Sequence, residues 1–140
     1  MPARNRHDGL ALGRLFEYLG RGDEAERCYL AAAAADGLIE QALDRQARAE
    51  ALHWLALHHR RARRFQEAAD AWRQLSEIGG IDADVRREAL EALAIHHEHR
   101  AKDLEAARQF AVRALELADD ARRVDDVRHR LGRLSKKLGA

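Results

Sequence analysis

One stretch of the chain occurs twice. Residues 50–72 come round again as residues 88–111. Glu50-Ala51-Leu52 answers Glu88-Ala89-Leu90, and Leu55-Ala56-Leu57-His58-His59 answers Leu93-Ala94-Ile95-His96-His97. Phe65-Gln66-Glu67-Ala68 then answers Leu104-Glu105-Ala106-Ala107. The offset is 38 residues in the first part and 39 in the second, so one residue has been added between them. A period of this size marks stacked helical hairpins, because one hairpin alone cannot bury its apolar face. Such arrays usually present a surface and seldom perform chemistry.

Composition agrees. Ala, Leu, Arg and Glu dominate, all good helix formers, and the single proline is Pro2, outside any element. With 46% apolar and 35% charged residues, the 140-residue chain suits one soluble all-helical domain with a substantial core. A formal charge of +1 argues against a strongly polyanionic partner, although charge can still be patchy. Cys28 is the lone cysteine, so an internal disulfide is impossible and a reducing, cytoplasmic setting is expected. No secretory leader and no apolar run near 18 residues is evident, so neither export nor a membrane span is expected.

The helical stripes can be followed along the chain. Leu12, Leu15, Phe16 and Leu19 fall on one stripe, interrupted at Gly20-Arg21-Gly22. Asp23 is suited to cap the next helix, whose buried stripe is Ala25, Cys28, Tyr29 and Ala32, ending at Asp36-Gly37. A second hairpin spans 38–78, with Leu43, Ala47, Ala51, Leu52, Leu55 and Ala56 in its first helix. Its turn falls within Arg61–Arg64 without a glycine, and Phe65, Ala68, Trp72 and Leu75 continue as the partner helix to Gly79-Gly80. Asp82 or Asp84 caps a third hairpin, lined by Leu90, Leu93, Ala94 and His97, then by Leu104, Ala107, Ala111, Ala114 and Leu115. After Asp119-Asp120, Val124, Val127, Leu131, Leu134 and Leu138 alternate by three and four as the seam of a capping helix.

These hairpins resemble tetratricopeptide repeats. That family places a large and a small residue side by side in helix A with an aromatic three residues on, then small, aromatic, small in helix B. Here the pattern reads Leu12-Gly13, Phe16, Ala25, Tyr29, Ala32; then Leu55-Ala56, His59, Ala68, Trp72, Leu75; then Leu93-Ala94, His97, Ala107, Ala111, Ala114. Small residues let helix axes approach to the short end of the usual range of about 8–10 Å. The family's turn proline is missing, and the 43-residue spacing from Ala25 to Ala68 exceeds its period of about 34. The excess is read as longer first helices. The resemblance implies an all-α, right-handed array of antiparallel hairpins, about seven helices in one domain over 8–138. Its hairpins fall at 10–35, 38–78 and 83–118, with the capping helix at 121–138. Residues 89–115, with His96-His97-Glu98-His99-Arg100 and Asp103-Leu104-Glu105-Ala106-Ala107, also resemble the C-terminal repeat region of bacterial proteins that carry an RNase H-like exonuclease domain. Nothing here matches that domain's acidic residues, so the likeness implies an accessory module and not a nuclease.

Chemistry-bearing patterns are thin. Five of eight histidines lie in His58-His59 and His96-His97-His99. Zinc would need side chains from two hairpins to converge, and His59 and His97 hold positions where the family keeps a packing aromatic. Semi-buried rings are the expectation, with no metal and no cofactor. Cys28 lies on the apolar stripe, and no phosphate loop or nucleophile elbow is present, so an enzyme is not expected.

Binding is the better reading. In the resembled family the inner surface is built from helix A. Carried over, it comprises His7, Leu10, Arg14 and Glu17; then His53, Leu57, Arg60 and Arg61; then Glu91, Ile95, Glu98 and His99. Leu57 and Ile95 are apolar where a solvated face would be polar. Either a partner protein or peptide docks there, or a neighbouring helix, such as the C-terminal one, covers them. The alternative function is weak nucleic-acid contact. The terminal helix carries seven basic residues between Arg122 and Lys137 against Asp125 and Asp126, and its seam leaves Arg123, Arg130, Arg133 and Lys137 outward.

Overall fold

A computed structural model describes residues 6–34, 42–118 and 120–139. Among them lie seven helices: α1 (Arg6–Tyr18), α2 (Gly22–Ala33), α3 (Ala42–Arg61), α4 (Phe65–Ser76), α5 (Ala83–His99), α6 (Leu104–Glu116) and α7 (Ala121–Lys137). No strand occurs among the described residues, and the chain is the expected all-α set of helical hairpins. It divides into two compact units, Met1–Ile81 and Asp82–Ala140. In the first, α1 pairs with α2 and α3 with α4, while α3 also lies against α2 and α1. In the second, α5 pairs with α6, and α7 packs on α6. The sequence stops expected at Asp36-Gly37 and the start expected at Leu38 lie outside the described residues.

The three hairpin turns share one backbone feature. Gly20, Arg63 and Lys102 all take positive φ, at 75°, 60° and 58°. After α1, the Gly20 N–H donates to the Glu17 carbonyl and the Arg21 N–H to that of Phe16, at 3.0 and 2.8 Å. After α3, Arg63 donates to Arg60 and Arg64 to His59, at 3.0 and 2.8 Å. This paired closure satisfies carbonyls left open at a helix C-terminus. After α5 the loop is wider: Asp103 donates to His97 at 2.9 Å, one residue further back. The residue that lengthens the repeat offset to 39 is therefore housed in this turn.

Caps follow from local chemistry. Asp82, Asp103 and Asp120 each accept a backbone N–H, from Asp84 (2.8 Å), Ala106 (3.1 Å) and Arg123 (2.8 Å). The start of α2 departs from expectation. Helix α2 begins at Gly22 with Arg21 in the cap position and no side-chain cap bond, which puts Asp23 inside the first turn. There its charge still favours the positive helix end. The other end of α2 has no basic residue of its own. Arg48 of α3 donates to the Ala33 carbonyl at 2.9 Å, and Arg6 of α1 donates to that of Ala34 and to the Asp44 carboxylate.

The core of the first unit holds Leu10, Ala25, Tyr29, Ala32, Leu52, Leu55, Ala56, Ala68, Trp72 and Leu75, all buried. Gly13 is required by close approach: a Cβ there would lie 2.7 Å from the Tyr29 ring. That contact orients α1, and it overturns part of the expected stripe. Leu12 and Phe16 are half-buried, whereas Leu15 and Leu19 are 51% and 56% exposed. Turning Gly13 and Leu10 inward carries Leu15 and Leu19 outward, since residues five to six apart lie far round the helix. In the second unit, Ala94, Ala107, Ala111, Val127 and Leu134 form the buried cluster, flanked by Leu104, Phe110, Leu115 and Leu131. The expected seam of α7 is thus largely inward, with Leu138 exposed at its end.

Candidate functional site

Helices α1 and α3 bring four of the expected groove residues into one neighbourhood. The Arg14 guanidinium lies 4.5 Å from the centroid of the Trp54 ring, close enough for cation–π attraction. Three residues on from Arg14, Glu17 accepts hydrogen bonds from Arg61 of α3 and from the Tyr29 hydroxyl, both at 2.7 Å. Burial, and then the bond to Glu17, push the Tyr29 hydroxyl well above its ordinary pKa. Leu57 is half-buried one turn from Arg61 and Trp54. Trp54 belongs to no motif in the sequence, although its spacing of three residues to Leu57 and seven to Arg61 puts it on their stripe.

Other expected groove residues of this unit lie elsewhere. Leu10 is 6% exposed and belongs to the core, because it shares the inward face of α1 with Gly13. The His53 ring meets Trp72 of α4 edge-on at 5.5 Å, so it serves the hairpin interior. Arg60 is exposed. The side chain of His7 is outside the described residues.

At the α3–α4 turn a second cluster forms. Arg64 grips both oxygens of Glu26, at 2.9 and 3.0 Å. His58 Nε2 and His59 Nδ1 lie 3.7 and 3.8 Å from the same carboxylate, and His58 Nδ1 lies 3.6 Å from Glu17. The hydrogen bonds from Arg64 hold the Glu26 carboxyl below its usual pKa. Burial depresses the His59 imidazole, and the Arg64 charge adds to the effect. Arg64 therefore ties the α3–α4 turn to α2 through Glu26, with the histidine pair alongside and His59 Nδ1 left without a hydrogen-bond partner. Among the described residues no three of His, Cys, Asp and Glu converge in metal-ligand geometry. Cys28 is a half-buried free thiol whose pKa burial raises. In the repeat, His97 stacks on Phe110 with centroids 5.2 Å apart and planes 15° from parallel, the aromatic role expected for it.

On α5 the expected surface divides. Ile95 is 45% exposed, and Glu91 accepts from Arg87 at 3.2 Å. Glu98 is 1% exposed and faces no groove. It accepts from Arg133 at 2.7 and 3.1 Å and from Lys137 at 3.1 Å, and the exposed His99 ring stands 3.6 Å away. These bonds, with Arg133 first, hold its carboxyl down at about 2 despite burial. The C-terminal helix covers this end of α5 and leaves Ile95 open.

The same geometry adds partners to the basic face of α7. Arg133 and Lys137 are exposed, as expected, yet both are engaged by Glu98. Arg123 is held by Asp84 at 3.0 Å and Asp120 at 3.3 Å. Arg130 is half-buried, with its Nε buried and unpartnered, in a cleft with Arg87 and Glu91. All four flank the apolar seam, and the flank faces α5, where acidic side chains wait.

The chain matches no protein-family model and no curated protein sequence. Among the described residues no helix is long and apolar enough to cross a membrane.

Proposed function

We propose that the protein is a tetratricopeptide-like interaction module that binds a segment of a partner protein on the α1 side of its first unit. One observation carries this reading. Leu15, Tyr18 and Leu19 are 51%, 87% and 56% exposed, and they sit three and four residues apart on one face of α1. Exposed large apolar side chains in a contiguous group mark interaction sites more often than ordinary surface. Arg14, Arg60 and Arg61 lie exposed on this unit, and Arg14 crowns Trp54. The partner segment that fits offers apolar anchors with a carboxylate beside them. The small-residue packing of Gly13, Ala56 and Ala94 supports the repeat reading, and one unpaired thiol suits a cytoplasmic setting.

Selection of binders from a displayed random peptide library tests the proposal. Recovered peptides should pair apolar anchors with acidic residues. They should lose at least tenfold in affinity for the Leu15→Asp, Tyr18→Asp double variant, whose thermal midpoint should stay near the parent's. Peptides without that pattern, or binding indifferent to the double variant, would remove the basis for it.

A further inference from the structure

We infer that the solvent face of α7 is a second binding surface, for the phosphate backbone of duplex nucleic acid, centred on Arg128, His129, Gly132 and Lys136. These residues line one shallow groove, together with Asp125 and Arg133. Their spacing of one, four and eight residues keeps them on a single side of the helix.

Charge points to the occupant. The flank cations Arg123, Arg133 and Lys137 are paired within the protein, the last two sharing the one carboxylate of Glu98. Arg122, Arg128, Arg130 and Lys136 form no ion pair among the described residues. Asp125 and Asp126 share the exposed side and are the only opposing acids on α7, so the excess is modest and the affinity must be low.

Gly132 supplies an independent observation. It sits inside a 17-residue helix, where glycine is the weakest former after proline. A Cβ built on it would meet nothing within 4 Å, so no neighbour requires its absence. Unlike Gly13, it opens no packing contact inside the fold. What it opens is the groove between Arg128 and Lys136, where a sugar–phosphate strand can approach the helix backbone.

Geometry selects a duplex. Eight residues of helix separate Arg128 from Lys136 by about 12 Å along the axis, which matches the width of about 12 Å of the DNA major groove. Two such cations reach phosphates on facing strands. No Phe, Tyr or Trp lines the groove, and the lone His129 ring gives successive single-stranded bases no run of platforms to stack on. The apolar side of α7, with Val127 and Leu134, is buried, so the helix has no face to insert into a lipid surface. The inference does not depend on the α1 surface.

Fluorescence anisotropy of the full chain with a labelled 20-base-pair DNA tests it. The expected dissociation constant is on the order of 10–100 µM at low salt, with a log–log salt slope of about −3 for three to four phosphate contacts. Arg128→Glu with Lys136→Glu should weaken binding more than tenfold. Arg27→Glu with Arg108→Glu, an equal charge change elsewhere, should weaken it less than threefold. Gly132→Ala should raise the thermal midpoint and still weaken binding several-fold, a split that a purely structural role does not produce. The inference is overturned by absence of duplex binding at 50 mM salt, or by equal effects of the two charge reversals. Unchanged affinity in Gly132→Ala overturns it too, as does tighter binding to single-stranded DNA, phosphatidylserine vesicles or polyglutamate than to the duplex.

Discussion

Arg63 and Lys102 hold a backbone conformation that side chains with a Cβ seldom adopt, at φ 60° and 58°. Gly20 takes the same region at no steric cost. Arg63→Gly and Lys102→Gly should each raise stability by about 0.5–1 kcal/mol, and Gly20→Ala should lower it by about 1 kcal/mol, measured by urea denaturation. Gly13→Ala should cost about 1–3 kcal/mol, because the Tyr29 ring has no room to retreat from a methyl group 2.7 Å away. Trp72→Ala should cost roughly 3–5 kcal/mol by opening a cavity in a buried site. His59 sets a pH dependence at this scale. Its folded pKa is lowered by burial, so the unfolded chain binds the proton more readily. Stability should therefore fall as pH drops below about 6.5, and His59→Phe should flatten that part of the profile.

At the scale of elements, α7 is held by a seam and by one buried anion. Val127 and Leu134 supply the apolar contact, and Glu98 draws in Arg133 and Lys137 from the far turn. The two cations are 45% and 42% exposed and can rehydrate when the carboxylate is removed. Glu98→Ala should therefore cost only about 1–3 kcal/mol, with faster amide exchange in the last two turns of α7. The carboxyl of Glu98 is held at about 2 in the folded chain, below its unfolded value. Its contribution is complete above pH ~4.5 and fades as pH falls toward 2. Acid titration of helicity should show that loss in the parent, and Glu98→Gln should remove it. Glu26, lowered chiefly by Arg64, adds to the same acid limb from the first unit.

For the molecule as a whole, near-neutral charge meets an uncovered apolar face. The formal charge is +1 and the isoelectric point is near 8.0. Little net repulsion then keeps copies apart while Leu15, Tyr18 and Leu19 stand in water. Solubility should be lowest near pH 8. Leu15→Lys with Leu19→Lys should raise it without moving the thermal midpoint, as read by light scattering and circular dichroism. A solubility minimum unmoved by that variant would mean that the face is not what drives association.

The helices and most of their cores were determined by the sequence alone. Ala25, Tyr29, Ala32, Leu55, Ala56, Ala68, Trp72, Leu75, Leu93, Ala94, Ala107, Ala111 and Ala114 follow from spacing, and all are buried. That succeeds because small and large residues three and four apart define one arc of a helix whatever surrounds it. Aspartate caps and the glycine turn at residue 20 are local in the same way. Tertiary structure decided what covers each arc. Helix α1 is apolar on several sides, and the closeness of Gly13 to Tyr29 chose which side went in, leaving Leu15 and Leu19 out. Glu98 reads as a solvated acid beside Ile95, yet it is buried because α7 brings two cations to it. Arg133 and Lys137 are outward, as their spacing implies, but their charged ends turn to that carboxylate. A charge's partner 35 or 39 residues away is not written in its own helix. Only packing brings the two together, and only the packed geometry showed that Gly132 leaves its groove open.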